Sequence, residues 1–510
     1  MRKWIASVLA VAMGLFLFTP AAAPYQGTVT IALTDEPLTM DPHRETDFIG
    51  TMVWPWVTDR LVTTQLGTGK IVPWLAEKVE RLDAKRIKMT LRKDAKFFDG
   101  SPVTSEAVQY SIGRILDPEM KSRQRSLWNT FDRVEILDER TFILHNKVPD
   151  NGLLNRFLNW GQILSPKTRT MDSAVVSRTP LGSGPYMVKE LVKGQRTVFE
   201  ANPGWWGNSQ YPDRPKTVVL RRIQEASTRI KALETGEVDV ITGVPHHLVP
   251  EIKKHAGLEA SAVPAVRILF MGFFTRFGGP FGDVKVRQAV NHAIDAEKIQ
   301  KTLLGGYADV FHQLLHPWSY AGYNPGKRWY GFDPAKARQL MKEAGYENGF
   351  PAEFITTNGR YPADRETCEA VAGMLREIKV QTTCSALAFP LFRKTFTAYQ
   401  NEQKKGAAMY YMGWGNGSGE SGLVLRGSTS CKGSFSGHCF PDLEEAIEKA
   451  ATTAEPKEQQ AAFERVTDLM KEKATHKIMF KIHDIFGFNK RVDFKPRHDE
   501  QLHAWEIVVK

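Results

Sequence analysis

The sequence predicts an α/β fold divided into several lobes, on the strength of three observations. The chain has 510 residues, more than one hydrophobic core normally organises, so about two to four domains are expected. Hydrophobic residues make up 42% and charged residues 25% of it, which excludes disordered, collagen-like and polytopic membrane proteins. Short β-rich runs alternate with amphipathic helical segments along its length, as in α/β lobes.

The first 23 residues predict a cleavable secretory signal peptide. Arg2 and Lys3 precede the apolar run Trp4–Phe18, and small residues follow as far as Ala23. The apolar run is shorter than the roughly 20 residues that a membrane-spanning helix needs. No cysteine lies near the junction, so a lipid anchor is not expected. We therefore predict export to the periplasm with cleavage of the signal peptide.

The segment after the signal peptide predicts strands, a turn and a capped helix. Thr28–Leu33 is a β-rich run, and Arg86–Leu91 places apolar residues on one face at a period of two. Asp99-Gly100 marks a turn. A helix with an apolar stripe is expected to begin near Thr104.

The middle of the chain predicts a first α/β unit. A glycine-rich turn leads into Tyr186–Leu191 and Arg196–Glu200, which are expected to form a hairpin. Ser227 is expected to cap a helix that stops at Gly236. The apolar run Val238–Ile241 then predicts a buried strand.

The segment from about residue 263 onward predicts a second α/β unit. Asp283 and Asp333 are expected to cap helices, the second with proline at its first position. The remaining expected elements are a helix over Glu366–Ile378, strands over Val380–Ser385 and Ala407–Trp414, and helical segments within Glu444–Lys473. This order of elements favours several lobes over one sheet.

The four cysteines predict two local disulfides, Cys368–Cys384 and Cys431–Cys439. Disulfides are the default state of cysteines in an exported protein. A metal cluster that includes His438, or free thiols, are the alternatives. No C-x-x-C occurs and the spacings fit no zinc template, so we expect no metal site.

Motifs for catalysis and nucleotide binding are absent or poorly supported. Gly417–Gly422 satisfies G-x-G-x-x-G, but the segment after it is too short for the helix of a dinucleotide-binding unit. The sequence has no G-x-S-x-G, H-E-x-x-H, Walker A or EF-hand motif. The formal net charge of +11 is spread along the chain, whereas nucleic-acid binding favours a clustered stripe. We therefore expect no catalysis, no cofactor and no nucleic-acid partner.

Several motifs, taken in order, resemble one known family. Pro73–Glu77 runs into Met89–Thr104, which is similar to the signature P-x-L-A-E … L-R-K-x-x-K-F-x-D-G-x-P-V-T of the family 5 extracellular solute-binding proteins of ABC importers. That family includes the oligopeptide-, dipeptide- and nickel-binding proteins. Further matches are Gly182–Tyr186, Asn202–Trp206, Gly236–Asp239, Pro280–Ala289, Asp333–Ala337 and Glu343–Tyr346.

The resemblance implies the fold of a type II, cluster C periplasmic binding protein. Such a fold has two α/β lobes joined by a hinge, an extra domain, and a ligand cleft between the lobes. Carried onto this chain, lobe I covers residues 27–55, 175–265 and 485–510. The extra domain covers residues 56–174, and lobe II covers residues 266–484.

The resemblance also implies a ligand site with one departure from the family. In its peptide binders, a motif similar to G-W-x-x-D-x-x-x-P carries an aspartate that receives the peptide α-ammonium. Here Trp414 matches the tryptophan, while the aspartate position falls near Asn416 or Gly417, and Glu420 is the nearby carboxylate. The missing aspartate predicts no tight binding of dipeptides with a free amine.

The expected ligand-binding residues come from two lobes. Lobe II is expected to supply aromatic walls and polar groups, and lobe I is expected to approach from the other side. The full set is Trp414, Tyr411, Phe389, Phe273, Asn416 and Glu420 from lobe II, and Met40 and His43 from lobe I. For the aromatic residues, packing in a core is the alternative interpretation.

These expectations together indicate a monomeric periplasmic solute-binding protein that is not an enzyme. It would capture a small polar solute, a peptide or a peptide-like molecule, and close about its hinge. The closed form would deliver the solute to an ABC permease in the inner membrane. The alternatives are a non-peptide ligand, such as a metal chelate, an opine or a glycan, and a ligand-sensing accessory protein.

Overall fold

The computed structural model of the protein describes residues 27–510. The predicted signal peptide, residues 1–23, lies outside the described residues. Across residues 27–510, none of the helices combines the length and the apolar character that crossing a membrane requires.

The first half of the described chain contains more strands than helices. Its elements are β1 (Thr28–Leu33), α1 (Phe48–Val57), β2 (Val62–Thr64), β3 (Ile71–Pro73), β4 (Ala76–Arg81), β5 (Arg86–Leu91), α2 (Ser105–Leu116), β6 (Phe131–Ile136), β7 (Thr141–Asn146), α3 (Leu153–Arg156), α4 (Ser173–Val176), β8 (Tyr186–Val192), β9 (Arg196–Ala201), β10 (Thr217–Arg222), α5 (Ala226–Glu234), β11 (Val240–Ile241) and α6 (Val249–Lys253).

The second half alternates helices and strands. Its elements are β12 (Leu258–Phe273), α7 (Val284–Ala293), α8 (Ala296–Leu303), β13 (Ala308–Val310), α9 (Pro334–Glu343), β14 (Phe350–Thr357), α10 (Asp364–Leu375), β15 (Val380–Leu387), α11 (Phe389–Gln400), β16 (Ala408–Gly415), α12 (Ser421–Thr429), α13 (Pro441–Thr452), α14 (Pro456–Glu472), β17 (His476–Asn489), β18 (Val492–Asp493) and β19 (Val508–Val509).

One mixed sheet of eleven strands runs through the molecule. Its order is β15-β14-β16-β12-β17-β11-β1-β10-β9-β8, and β13 pairs with β17 outside this path. We call the part built on β1 and β8–β11 lobe I, and the part built on β14–β16 lobe II. The expectation of several lobes rather than one sheet is wrong about the sheet. The long antiparallel strands β12 and β17 belong to both lobes, so the strands on each side join into one sheet.

The pairing of β12 with β17 is irregular where the two lobes meet. Pro264 pairs with His483 and Ile268 pairs with Lys481, so three residues of β12 stand against one residue of β17. Such bulges bend a strand and increase its local twist. The two strands that cross between the lobes are therefore bent at the crossing.

The extra domain has its own sheet and its own core. Its four strands have the order β4-β5-β7-β6, and α2 packs its apolar stripe, Val108, Ile112 and Ile115, into the core beside them. This core is separate from the cores of lobe I and lobe II. The exact boundaries of lobes and extra domain stay predictions.

Most helices begin where their caps predict. The Asp283 side chain accepts a hydrogen bond from the Lys285 N–H at the start of α7, and Asp333 accepts one from the Lys336 N–H at the start of α9. Both predicted caps are confirmed. The cap of α5 is Glu225 rather than the predicted Ser227, because the helix already begins at Ala226.

The two predicted disulfides are present. Cys368–Cys384 joins α10 to the neighbouring strand β15, and Cys431–Cys439 closes the loop between α12 and α13. Both pairs link residues that are close in sequence, with separations of 16 and 8 residues. The alternatives of a metal cluster or free thiols do not apply to these four residues.

Candidate functional site

The carboxyl ends of the parallel strands of lobe II face lobe I. β14 lies parallel to both β15 and β16, and Gly415 at the end of β16 pairs with Arg267 in the antiparallel strand β12. The residues of β12 that precede Arg267 pair with the part of β17 that leads to β11 of lobe I. The loops that follow β14, β15 and β16 therefore point toward lobe I.

The parallel strands of lobe I end toward lobe II in the same way. β1 lies parallel to β10 and β11, and Ile241 at the end of β11 pairs with Gly487 of β17. Ligands of α/β sheets bind at the carboxyl ends of the strands. We call the zone between these two edges the interlobe seam: residues 34–47 and 242–247 of lobe I, and residues 358–363, 388–389 and 416–420 of lobe II.

A small cavity of about 20 Å³ lies beside residues 416–419 of the seam, where lobe II meets the extra domain and the C-terminal segment. It is lined by Thr64, Gly69, Asn155 and Leu158 of the extra domain, by Val266, Trp318 and Asn416–Gly419, and by His498 and Asp499 of the C-terminal segment. Within residues 27–510, Asn416 Nδ2 and His498 Nε2 are buried with no hydrogen-bond partner. Buried polar atoms normally have hydrogen-bond partners, so these two nitrogens are available to a small molecule bound in the cavity.

Arg360 presents a guanidinium at the lobe II edge of the seam. It lies 3.7 Å above the ring of Phe389, the first residue of α11. Its Nε donates to Tyr361 Oη at 3.3 Å, and Tyr361 Oη donates to the Gly413 carbonyl at 3.0 Å. No carboxylate within residues 27–510 forms an ion pair with it. A guanidinium held flat on an aromatic ring is a ready partner for a planar anion.

Sequence reasoning did not find Arg360. It follows β14 (Phe350–Thr357), a strand that is not among the expected elements and that contains Pro351, a residue type rare inside strands. Pro351 is tolerated because β16 pairs with β14 only from Glu353 onward. A glycine and a charged residue directly after this apolar run are the signal that could have found it.

Trp414, predicted as a cleft wall, lies at the end of β16 and is half-buried. Its ring meets Phe435 edge-on at 6.2 Å between centroids. The backbone of α12 approaches the ring at Gly427, where a Cβ atom would lie 2.0 Å from it. The ring therefore packs partly on its own lobe and keeps part of its surface free, and its role in binding stays a prediction.

Three predicted residues lie in hydrophobic cores. Phe273 and Tyr411 are fully buried in lobe II, and Met40 is 2% exposed in lobe I. β16 and the second half of β12 are covered on both faces, as strands of α/β sheets usually are. Residues 408–412 are consequently buried on both faces. Phe273, Tyr411 and Met40 therefore pack in cores, and their contact with a ligand stays a prediction.

His43 is fully buried in a structural triad rather than open to a ligand. Its Nε2 bonds to the Gln162 carbonyl at 2.7 Å, and Arg114 reaches both His43 Nδ1 and the Asp41 carboxylate. Burial first, and then the charge of Arg114, lower the pKa of His43 to about 4. His43 therefore joins the loop after β1 to the extra domain, and its approach to the ligand stays a prediction.

Glu420, predicted as a polar ligand group, is already occupied. It is 4% exposed and pairs with Arg156 of the extra domain at 3.2 Å. Burial raises the pKa of Glu420, and Arg156 opposes that shift. Asp364, the other carboxylate beside these loops, accepts hydrogen bonds from Thr357 Oγ1 and from three backbone N–H groups of residues 359–361.

A charged cluster lies where β12 and β17 cross between the lobes. Arg267 pairs with Glu500 at 3.3 Å and lies above the half-exposed ring of Phe48 at 5.5 Å. Burial, and then the neighbouring Glu500, raise the pKa of Asp484 to about 7, while Arg267 opposes the shift. Two carboxyl groups thus share one guanidinium at the crossing.

A second cavity lies away from the seam. It has a volume of about 490 Å³ and lies between the β2–β3 hairpin, the segment around Trp206 and Tyr211, and the C-terminal segment around Trp505. Its tryptophans pack on each other, and Trp74 and Trp206 both donate to Asp59. None of the predicted ligand residues lines this cavity.

The chain matches the family model described as bacterial extracellular solute-binding proteins, family 5, over residues 70–436. It is 26% identical over 430 residues to the glutathione-binding protein GsiB of Salmonella typhimurium strain LT2, covering 83% of this chain and 81% of that protein.

Solved structures share the fold. The periplasmic binding protein DppA of Helicobacter pylori, in complex with the peptide STSA, has a TM-score of 0.77 at 21% identity and covers 95% of this chain and 98% of that one. The dipeptide-binding protein of Pseudoalteromonas sp. SM9913, in complex with Met-Leu, has a TM-score of 0.78 at 19% identity, with coverage of 95% and 100%. Since the family model spans well over half of the chain, the protein belongs to the family 5 bacterial extracellular solute-binding proteins.

Proposed function

We propose that the protein captures a small polar solute, a peptide or a peptide-like molecule that carries a carboxylate, in the interlobe seam. The closed form presents this solute to an ABC permease in the inner membrane. This proposal also includes the predicted signal peptide, the periplasmic location, the monomeric state and the domain boundaries.

The exposed guanidinium of Arg360, unpaired within residues 27–510, is the observation that favours a ligand with a carboxylate. Its guanidinium is exposed at the carboxyl edge of lobe II, it rests on Phe389 at 3.7 Å, and no acid within residues 27–510 neutralises it. Arginine binds carboxylates with two parallel hydrogen bonds, which are stronger than neutral ones. A ligand carboxylate at this position would complete the charge balance.

The acidic groups at the same edge support an anionic rather than a cationic ligand. Asp364 is saturated by hydrogen bonds from its own loop, and Glu420 is paired with Arg156. Neither is free to receive a ligand ammonium. The relative GsiB is named a glutathione-binding protein, and glutathione is a peptide with two carboxylates.

Contacts beside the seam, between lobe II on one side and the extra domain and C-terminal segment on the other, support a closing motion. The ring of Trp318 stacks on His498 at 4.3 Å between centroids, and Asn155 Nδ2 donates to the Ser418 carbonyl at 2.6 Å. A ligand that contacts both sides binds the closed form more tightly than the open one, and this difference in affinity shifts the population toward closure.

Calorimetric titration with glutathione and with Met-Leu tests the proposal. We expect Arg360→Gln to weaken binding of the compound that binds at least 10-fold, since it removes a charge-assisted pair. Arg338→Gln is the matched control, because Arg338 is an exposed arginine of lobe II on α9. Equal affinity in the two variants would contradict the role of Arg360. Native mass spectrometry of protein purified without refolding would identify any retained solute.

A further inference from the structure

One short stretch of the extra domain makes three contacts with lobe II. Asn151 Nδ2 donates to the Ala454 carbonyl at 3.0 Å and to Gln459 Oε1 at 2.9 Å. Asn155 Nδ2 donates to the Ser418 carbonyl. Arg156, at the end of α3, reaches Glu420. The extra domain therefore contacts lobe II directly, at the loop that carries Asn416 and Glu420.

Arg156 forms the centre of this contact. Its guanidinium lies 2.7 Å from Asp150 in its own domain and 3.2 Å from Glu420 in lobe II. All three side chains are at most 6% exposed. A buried charge needs a partner that is both close and hydrogen-bonded, and Arg156 is that partner for both carboxylates.

The approach of the two elements is close at Gly152. A Cβ atom at this position would lie 3.0 Å from both Cγ and Cδ of Glu420. The Glu420 side chain thus lies against the start of α3, with the backbone of Gly152 beneath it. The Glu420 side chain is therefore held against the extra domain by this packing as well as by its ion pair with Arg156.

The charges of the cluster decide what Glu420 can bind. Asp150 and Glu420 supply two negative charges, and Arg156 supplies one positive charge. A ligand ammonium would have to displace Arg156 from Glu420 and leave the guanidinium buried beside Asp150 alone. Without Arg156, Glu420 would be a buried carboxylate at the seam whose other neighbouring cation, Arg426, is paired with Glu448. A ligand ammonium could then pair with Glu420.

We propose that Arg156 is a specificity-determining residue that occupies Glu420 and so prevents a ligand ammonium from binding there. The inference rests on the proposed function, since it assumes that ligands enter the interlobe seam. It adds that the extra domain selects the ligand: solutes whose amine is blocked or absent bind as well as those with a free amine.

The test compares Met-Leu with N-acetyl-Met-Leu. We expect the two affinities in the natural protein to agree within about threefold, because no acid receives the amine. Arg156→Met should shift their ratio at least 10-fold toward Met-Leu, and the double variant R156M/E420Q should remove that shift. Arg133→Met is the matched control, since Arg133 is an exposed arginine of the same domain with a surface ion pair. An unchanged ratio in R156M would overturn the proposal.

Glu420→Gln covers the case in which Arg156→Met does not fold. We expect this variant to change both affinities by the same factor, so their ratio stays constant. A loss of 10-fold or more for Met-Leu alone would show that Glu420 already receives the amine, and would overturn the proposal.

Failure of the proposed function would look different. In that case the natural protein binds neither Met-Leu, N-acetyl-Met-Leu nor glutathione. The role of Arg156 is then decided by two measurements: R156M should acquire binding of Met-Leu, and the double variant R156M/E420Q should lose it again. If R156M acquires no such binding, the inference is wrong as well.

Discussion

At the residue scale, the role of a polar side chain at the seam follows from the partners that the fold brings to it. Glu420 and Arg156 are 264 residues apart in sequence, and Asp41 and Arg114 are 73 apart. The resemblance to the family suggested Glu420 and His43 as candidate ligand groups. The fold gives each of them an arginine distant in sequence as a partner, which local sequence does not show.

Trp414 is the residue for which binding and packing make opposite predictions. Trp414→Ala should weaken binding of glutathione or Met-Leu about 30-fold, since an aromatic anchor is commonly worth about 2 kcal/mol. Its half-buried ring should make the loss in free energy of unfolding smaller than the roughly 3–5 kcal/mol of a core tryptophan. Calorimetry and urea unfolding measure the two quantities.

Trp128→Ala serves as the control for Trp414. Trp128 is fully buried in the extra domain, so its truncation should cost the full core penalty and leave the affinity of the folded fraction unchanged. If Trp414→Ala behaves like Trp128→Ala, Trp414 belongs to the core of lobe II.

At the scale of elements, caps and periodicity predicted the helices α7 and α9 correctly, whereas they predicted only some of the strands. α7 and α9 begin at their predicted aspartate caps because a cap is a local interaction. β14 is not among the expected elements, and it contains Pro351, a residue type rare inside strands. The proline lies beyond the end of β16, so only the pairing of the strands, which is not local, shows why it is tolerated.

The candidate site was predicted less completely than the elements. Trp414, Asn416 and Phe389 lie at the seam because strand ends can be located from the sequence. Phe273 and Tyr411 lie in the core because a covered strand is buried on both faces, and a single sequence does not show which strands are covered. Arg156 and His498 could not be found at all, since they reach the seam from other domains.

At the same scale, Glu506 of the C-terminal segment should make the free energy of unfolding depend on pH. Glu506 accepts from His503 Nδ1 and from Arg497 Nη1, both at 3.0 Å. Burial raises the pKa of Glu506, but His503 and Arg497 outweigh it and lower the pKa from 4.5 to about 2. Ionised Glu506 therefore stabilises the folded protein fully above pH 4.5, and this contribution is lost as the pH falls through 2.

The expected size of this dependence is at most about 3 kcal/mol in the free energy of unfolding. Urea unfolding between pH 4.5 and 2.5 should show a steeper loss in the natural protein than in Glu506→Gln. Asp493→Asn, which changes an exposed carboxylate of the same segment, should keep the natural slope. Parallel slopes for the natural protein and Glu506→Gln would contradict the argument.

At the scale of the whole molecule, two strands connect the lobes and the seam lies beside them. The bend of β12 against β17 and the cluster of Arg267, Glu500 and Asp484 lie at this crossing. A change in the angle between the lobes therefore alters the bend of the strands and the surroundings of the charges together.

Ligand binding should stabilise the closed molecule as a whole. At a ligand concentration about 100 times the dissociation constant, the free energy of unfolding should rise by about 2.7 kcal/mol. Small-angle scattering should show a smaller radius of gyration in the presence of the ligand. Stabilisation without any change in the radius would indicate that the protein binds ligand without a closing motion.

The position of β17 has a consequence for biosynthesis. It is a central strand, it lies between β12 and β11, and it is formed by residues 476–489 of a chain of 510. Until the ribosome has made nearly the whole chain, the two halves of the sheet have no strand to join them. A nascent chain in this state keeps its lobes incomplete, which fits the proposed export, since an exported polypeptide threads through a secretion channel before it folds.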